Sequence, residues 1–319
     1  MQDKKDIEQE KPKPEIEESA AEKTEKVRPR IRTNFGKIVL YALTLLAIVI
    51  ALTTVFSIIF SIFYGHEFFQ QDFKNFSPNP DTMLFLLVLY FSMAVAAFFA
   101  SRLFRNKIDN KSFKDIGLYR PNVLRKFGIG LLVGFLAISI GFIILALTGQ
   151  IEVYGFQFDP YFLFVFLIIM IFVGFAEELI FRGYILSTLM DKESKKKAII
   201  ISALLFTLVH SMNPNLYIPG IIMIFVFGLF AGIYYEKTRD LWFLIGIHAA
   251  WNYSMGAIYG FGVSGTTQNG IIQIKNIGPD WITGGSFGFE GSILAPIIII
   301  IFTNLIIKNS EVITGYENS

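Results

Sequence analysis

The sequence predicts an all-α fold, a polytopic membrane helical bundle of about eight transmembrane helices. Three observations predict it. The 319 residues are 53% hydrophobic, with 34 phenylalanines and only 17% charged side chains. The apolar residues gather into runs close to the ~20 residues that a membrane helix needs. Lys and Arg then fall in alternate connections between those runs, as the positive-inside rule requires. The net charge of +2 indicates no particular partner, and nothing in the composition points to nucleic acid. With no cysteine in the chain, disulfides, a thiol nucleophile and thiolate metal sites are excluded.

Residues 1–33 mix charges with prolines, as in Lys11-Pro12-Lys13-Pro14-Glu15. They have too few apolar groups to build a core and are expected to form a disordered cytoplasmic tail of unknown protein partner. No cleavable signal peptide is expected, because the N-terminus is highly charged and the first apolar run exceeds a signal h-region. The transmembrane domain then occupies 34–308, and 309–319 form a short C-terminal tail. Candidate spans are 38–63, 83–103, 127–147, 161–188, 198–212, 217–235, 241–259 and 293–307.

Orientation follows from the connections. Basic residues crowd the first flank (Arg28, Arg30, Arg32, Lys37), the 102–126 link and the 190–197 turn, which holds Lys192, Lys195, Lys196 and Lys197. Lys237, Arg239 and Lys308 continue the pattern. The intervening loops 65–82, 148–160, 211–217 and 260–292 are neutral or acidic. Both termini are therefore expected in the cytoplasm, with the plasma membrane as the host bilayer. Loop 260–292 is long and Gly-rich, as in Gly284-Gly285-Ser286-Phe287-Gly288, and reads either as a lid or as a flexible connector.

The stretch Glu177-Glu178-Leu179-Ile180-Phe181-Arg182 interrupts the fourth span. A charge at mid-helix costs roughly 2.5–3.5 kcal/mol even on lenient insertion scales, so such residues point to a functional site. At ~1.5 Å rise per residue, Glu177 lies roughly 15–17 Å from the cytoplasmic end of its span. His210 lies about 18 Å from the start of the fifth, and His248 and Asn252 about 10 and 16 Å into the seventh. The four polar groups share one layer. Glu178 and Arg182 are i,i+4 and read as a structural ion pair, while His248 and Asn252 stack on one helix face. Glu177, about 100° around from Glu178, has no local counter-ion. The expected chemistry is a water held and deprotonated by Glu177 and His210, with His248 and Asn252 stabilising an oxyanion. Phe206, Met223, Phe225, Phe227 and Phe230 read as packing or lipid-facing side chains, and Gly228 and Gly232 as a close helix contact.

These residues form Glu-Glu-x-x-x-Arg, Phe-x-x-x-His and His-x-x-x-Asn patterns, in that order. They resemble the three signatures of the CAAX protease and bacteriocin-processing family, also called the Abi or type II CAAX prenyl endopeptidase family. Phe113-Lys114-Asp115-Ile116-Gly117-Leu118 and Glu290-Gly291-Ser292-Ile293-Leu294-Ala295-Pro296 agree with it, and the likeness covers residues 113–305. The resemblance implies an all-helical intramembrane endopeptidase with Glu177, His210, His248 and Asn252 as catalytic residues and a peptide or lipidated peptide as substrate. No cofactor is favoured. Zinc held by Glu177, His210 and His248 is the alternative. Two other functions stay open: a non-catalytic role in bacteriocin self-immunity or regulatory scaffolding, and an ion-coupled transporter.

Overall fold

The computed structural model describes residues 33–64, 80–266 and 269–309. The expected tail before residue 33, most of loop 65–82 and the C-terminal tail beyond Asn309 lie outside the described residues. Among the described residues, five helices are long and apolar enough to cross a membrane: Asn34–Ile62, Pro80–Ile108, Val123–Leu147, Pro160–Leu189 and Ile218–Thr238. The other three expected spans also form helices, but they are shorter. We label the elements α1 (Asn34–Tyr64), α2 (Pro80–Leu103), α3 (Val123–Leu147), β1 (Ile151–Phe156), α4 (Pro160–Glu178), α5 (Lys195–His210), α6 (Ile218–Thr238), α7 (Trp242–Tyr253), β2 (Ile272–Asn276), α8 (Asp280–Thr283) and α9 (Leu294–Lys308). At 16 and 15 residues α5 and α9 fall short of the ~20 that cross an average bilayer, as does α7, whose 12 residues continue into a five-residue π-helical stretch, Ser254–Ile258. The structure therefore supports five spans by length and apolarity, against about eight from the apolar runs.

Local chemistry sets the helix boundaries. Asp159 caps α4 by accepting from the Phe162 N–H at 3.0 Å, and Pro160 occupies the first turn, where its missing donor costs nothing. Asp240 caps α7, its Oδ1 accepting from the Trp242 and Phe243 amides. Its other oxygen pairs with Lys126 Nζ at 2.7 Å, and both side chains are buried. That pair ties the start of α3 to the start of α7. Beyond Glu178, α4 continues as a π-helical stretch, Leu179–Leu186, before a last α turn. A π turn re-aims the side chains that follow it and is common at functional sites.

Packing brings α7 to the centre. At Gly130 and Gly246 the backbones of α3 and α7 almost touch: a Cβ on Gly130 would lie 2.3 Å from the Phe243 carbonyl oxygen, and one on Gly246 2.3 Å from that of Phe127. Gly174 gives α4 a similar approach to Ile245 on the opposite side of α7. Small residues at such crossings let dispersion contacts form where lipid offers no hydrophobic drive. Gly228 and Gly232 make the expected close contact, against Ala203 and Ile199 of α5. Apolar side chains such as Leu43, Leu46, Ile50 and Ile58 of α1 point outward.

The two acidic or neutral connections beside α3 and α7 are more ordered than expected. β1 and β2 pair antiparallel, with an irregularity between Val153 and Gly155, so loops 148–160 and 260–292 join in a small sheet. Segment 260–292 also contains α8 and two 3₁₀ turns. Phe287 and Phe289 from these turns are wholly buried, and the Phe289 ring rests on Gly141 of α3, where a Cβ would come within 2.2 Å of it. A flexible connector would not place two phenylalanines in the core. Burial of their apolar area fixes the segment on the bundle.

Candidate active site

Three helices deliver three side chains to one point. Glu177 near the end of α4, His210 at the end of α5 and His248 in α7 meet, with Glu177 Oε2 at 3.6 Å from His210 Nε2 and 3.7 Å from His248 Nε2. Asn252, one turn beyond His248, lines the same cavity, whose volume is about 230 Å³. The layer inferred from helical rise and loop charge thus holds these groups within reach of one another.

Each imidazole is oriented through its second nitrogen. The His210 Nδ1–H donates to the Phe206 carbonyl oxygen at 2.8 Å. A carbonyl only accepts, so in the neutral ring Nε2 carries the lone pair that faces Glu177. His248 Nδ1 lies 2.9 Å from Glu178 Oε1 and donates to that carboxylate, which leaves its Nε2 towards the cavity. Glu178 Oε1 also accepts from Arg182 Nη1 at 2.9 Å. The expected ion pair is present, but Glu178 does more than neutralise Arg182: it also holds His248. One turn of helix separates Glu178 from Arg182, whereas its bond to His248 spans 70 residues, a tertiary contact that spacing on α4 does not encode.

Aromatic rings close the site beneath these groups. The Arg182 guanidinium lies 4.5 Å from the centre of the Phe206 ring, and Phe206 packs against His210 with centroids 4.4 Å apart. A cation over an aromatic face is attracted to the ring quadrupole, more so when desolvated. Phe227 meets His248 edge-on at 5.3 Å. Phe206, Met223 and Phe227, expected only to pack or face lipid, all line the cavity. The i,i+4 step from Phe206 to His210 foreshadowed only the first of these.

Glu290 is the residue that sequence reasoning did not place. It lies in the cavity wall, accepting from the Trp251 indole N–H at 3.3 Å and the Ser264 hydroxyl at 3.2 Å. Burial holds its carboxyl above the usual range, partly offset by the nearby His210 and His248. Its position just before α9 marked it as a flanking feature, but only the folding of 260–292 back over α7 brings it inward.

Among the described residues, no group of three or more His, Asp or Glu side chains is arranged to hold a metal ion. The donor set is a separate matter of chemistry. If Glu177, His210 and His248 bound zinc, a neighbouring carboxylate would have to activate the water. Glu178 is fully buried and already accepts from Arg182 and His248, so it does not fit that task.

Residues 159–254 match the family model of the Type II CAAX prenyl endopeptidase Rce1-like proteins. The match supports the CAAX protease family for that segment. The segment contains α4 through α7, and with them Glu177, Glu178, Arg182, His210, His248 and Asn252. No curated protein matches the chain. The Rce1-like family is one of proteases, so the match supports a peptidase at family level, and together with the five apolar helices it supports a membrane protein.

Proposed function

We infer that the chain is an intramembrane, glutamate-dependent endopeptidase that cleaves a peptide or lipidated peptide with an activated water. The observation that carries this reading is the pair of separations from Glu177 Oε2 to the two imidazoles, 3.6 and 3.7 Å. Both exceed a direct hydrogen bond, and both suit one shared water. Glu177 Oε2 and the His210 Nε2 lone pair accept the two O–H bonds of that water. Its oxygen adds to the scissile carbonyl carbon while Glu177 takes a proton. The carbonyl π pair moves onto oxygen, and the resulting oxyanion accepts from the Asn252 amide and from His248. His248 donates from Nε2 when its ring carries both protons, its Nδ1–H staying on Glu178. Collapse reforms the C=O bond and breaks the C–N bond. The leaving amine takes the proton held by Glu177, giving one carboxylic acid fragment and one amine fragment.

This chemistry assigns no step to a metal, in keeping with the engagement of Glu178. The protein is expected to cross the plasma membrane several times with both termini in the cytoplasm, supported by the clustering of Lys and Arg at one end of the helices. The test compares peptides in membranes from cells expressing the wild-type protein and Glu177→Gln at equal levels. One or more peptides are expected to be shortened only with the wild type. Identical peptide sets would refute the peptidase reading and favour a non-catalytic role.

A further inference from the structure

The cavity belongs to one end of the bundle only. On α2 it touches Thr82 to Tyr90 and nothing later, on α4 it stops at Glu177, and on α6 it stops at Phe227. These helices all begin at that end. The antiparallel α5 and α7 contribute their later parts, from Phe206 and His248 onward, and the rim is made by Asn213, Pro214, Ser264 and Thr266. Towards the other end the floor is closed by Phe206, Arg182 and Glu178, each buried.

The basic residues occupy the opposite end. Among the described residues, every Lys and Arg other than Arg182 and Lys275 lies there. Contacts between elements show that this is one surface: Lys37 with Asp109 at 2.6 Å, Arg120 Nε with the Arg239 carbonyl oxygen at 3.0 Å, Lys126 with Asp240 at 2.7 Å and Lys237 with the Ile307 carbonyl oxygen at 2.9 Å. Lys111 with Asp191 and Lys195 with Glu236 complete it. Lys and Arg in short connections stay on the cytoplasmic side, so the mouth of the cavity faces away from the cytoplasm. The lining adds a constraint on charge. Among the described residues it contains the carboxyl groups of Glu177 and Glu290 and no Lys or Arg, and the two groups able to carry positive charge, His210 and His248, already face Glu177, so it leaves no free cation for a C-terminal carboxylate or an acidic side chain.

We propose that the site is loaded from the extracytoplasmic side and takes a neutral or basic segment of an exported peptide. The proposal rests on the peptidase reading for its substrate and on geometry and charge for its direction. The absence of cysteine from the chain allows a direct test of direction. Asn213→Cys places a thiol at the rim, Met212→Cys places one on the exposed link beside it, and Lys196→Cys places one among the basic loops. Intact cells are treated with a membrane-impermeant maleimide. The Asn213→Cys and Met212→Cys proteins are expected to be labelled, and Lys196→Cys only after lysis. The reverse pattern, or equal labelling of all three in intact cells, overturns the proposal. Labelling needs no catalysis, so its outcome stands even if Glu177→Gln proves fully active. For the charge of the substrate, right-side-out vesicles are given quenched-fluorescence peptides that are matched in length and rich in either Lys or Glu. Cleavage of the Lys-rich peptide at least ten times faster is expected, and equal or inverted rates contradict that part.

Discussion

Glu178 Oε1 accepts from Arg182 and from His248, each at 2.9 Å, while Glu177, one position earlier, faces two imidazoles at the cavity. Adjacent carboxylates thus have separate tasks, and substitution should separate them. Arg182→Ala leaves a buried carboxylate without its guanidinium and is expected to cost about 3–5 kcal/mol, read as a lowered unfolding midpoint in detergent. Glu178→Gln should lower both stability and cleavage, because it strands Arg182 and loosens His248. His210→Ala should abolish cleavage while leaving the midpoint nearly unchanged. Asn252→Ala should slow cleavage by roughly 10²–10³-fold, the usual effect of losing an oxyanion donor. Equal midpoint losses in all four variants would mark the cluster as structural. Helical rise and loop charge were enough to expect Glu177, His210, His248 and Asn252 together, and all four line one cavity; the Glu178–Arg182 pair was legible in its i,i+4 spacing. The hold of Glu178 on His248 and the entry of Glu290 were not, because both depend on how distant segments pack.

The elements that place these residues are held by close backbone contacts and by a folded outer segment. Gly246 sits two residues before His248, against the Phe127 carbonyl oxygen. Gly246→Val is expected to push α7 off α3, costing about 1–3 kcal/mol or more and displacing His248 and Asn252. Expression with a wild-type midpoint and full cleavage would show that the contact is not needed. The segment 260–292 carries Glu290, whose carboxyl is raised from an ordinary value of 4.5 by burial. An acid that is harder to ionise when folded stabilises the fold below its ordinary value, and the contribution is lost as pH rises through the raised one. Wild-type unfolding midpoints should therefore fall as pH increases from about 4.5, and Glu290→Gln should flatten that slope. Apolar runs marked the five long helices found among the described residues. They could not reveal the β1–β2 pairing or the burial of Phe287 and Phe289, since glycine-rich connections carry no period to read.

For the whole molecule, composition and charge alternation were enough to expect a helical membrane bundle, and five helices meet the length and apolarity of a span. The count of about eight was less legible. Helices α5, α7 and α9 are apolar but short, and hydropathy alone does not separate a short span from a buried helix within the bundle. Family likeness covers 159–254, the portion that carries the polar cluster. If water rather than a metal is the agent, purified protein stripped by exhaustive chelation should retain its cleavage rate. A loss that zinc restores would contradict that.

The most direct test is a side-by-side assay of purified, reconstituted wild-type protein and Glu177→Gln on a peptide shortened only in wild-type membranes. Cleavage is expected to vanish in the variant while its unfolding midpoint stays within about 1 kcal/mol of the wild type, the usual reach of a change that leaves packing intact. Undiminished cleavage by a folded Glu177→Gln protein would contradict the assignment of Glu177 as the base that activates water.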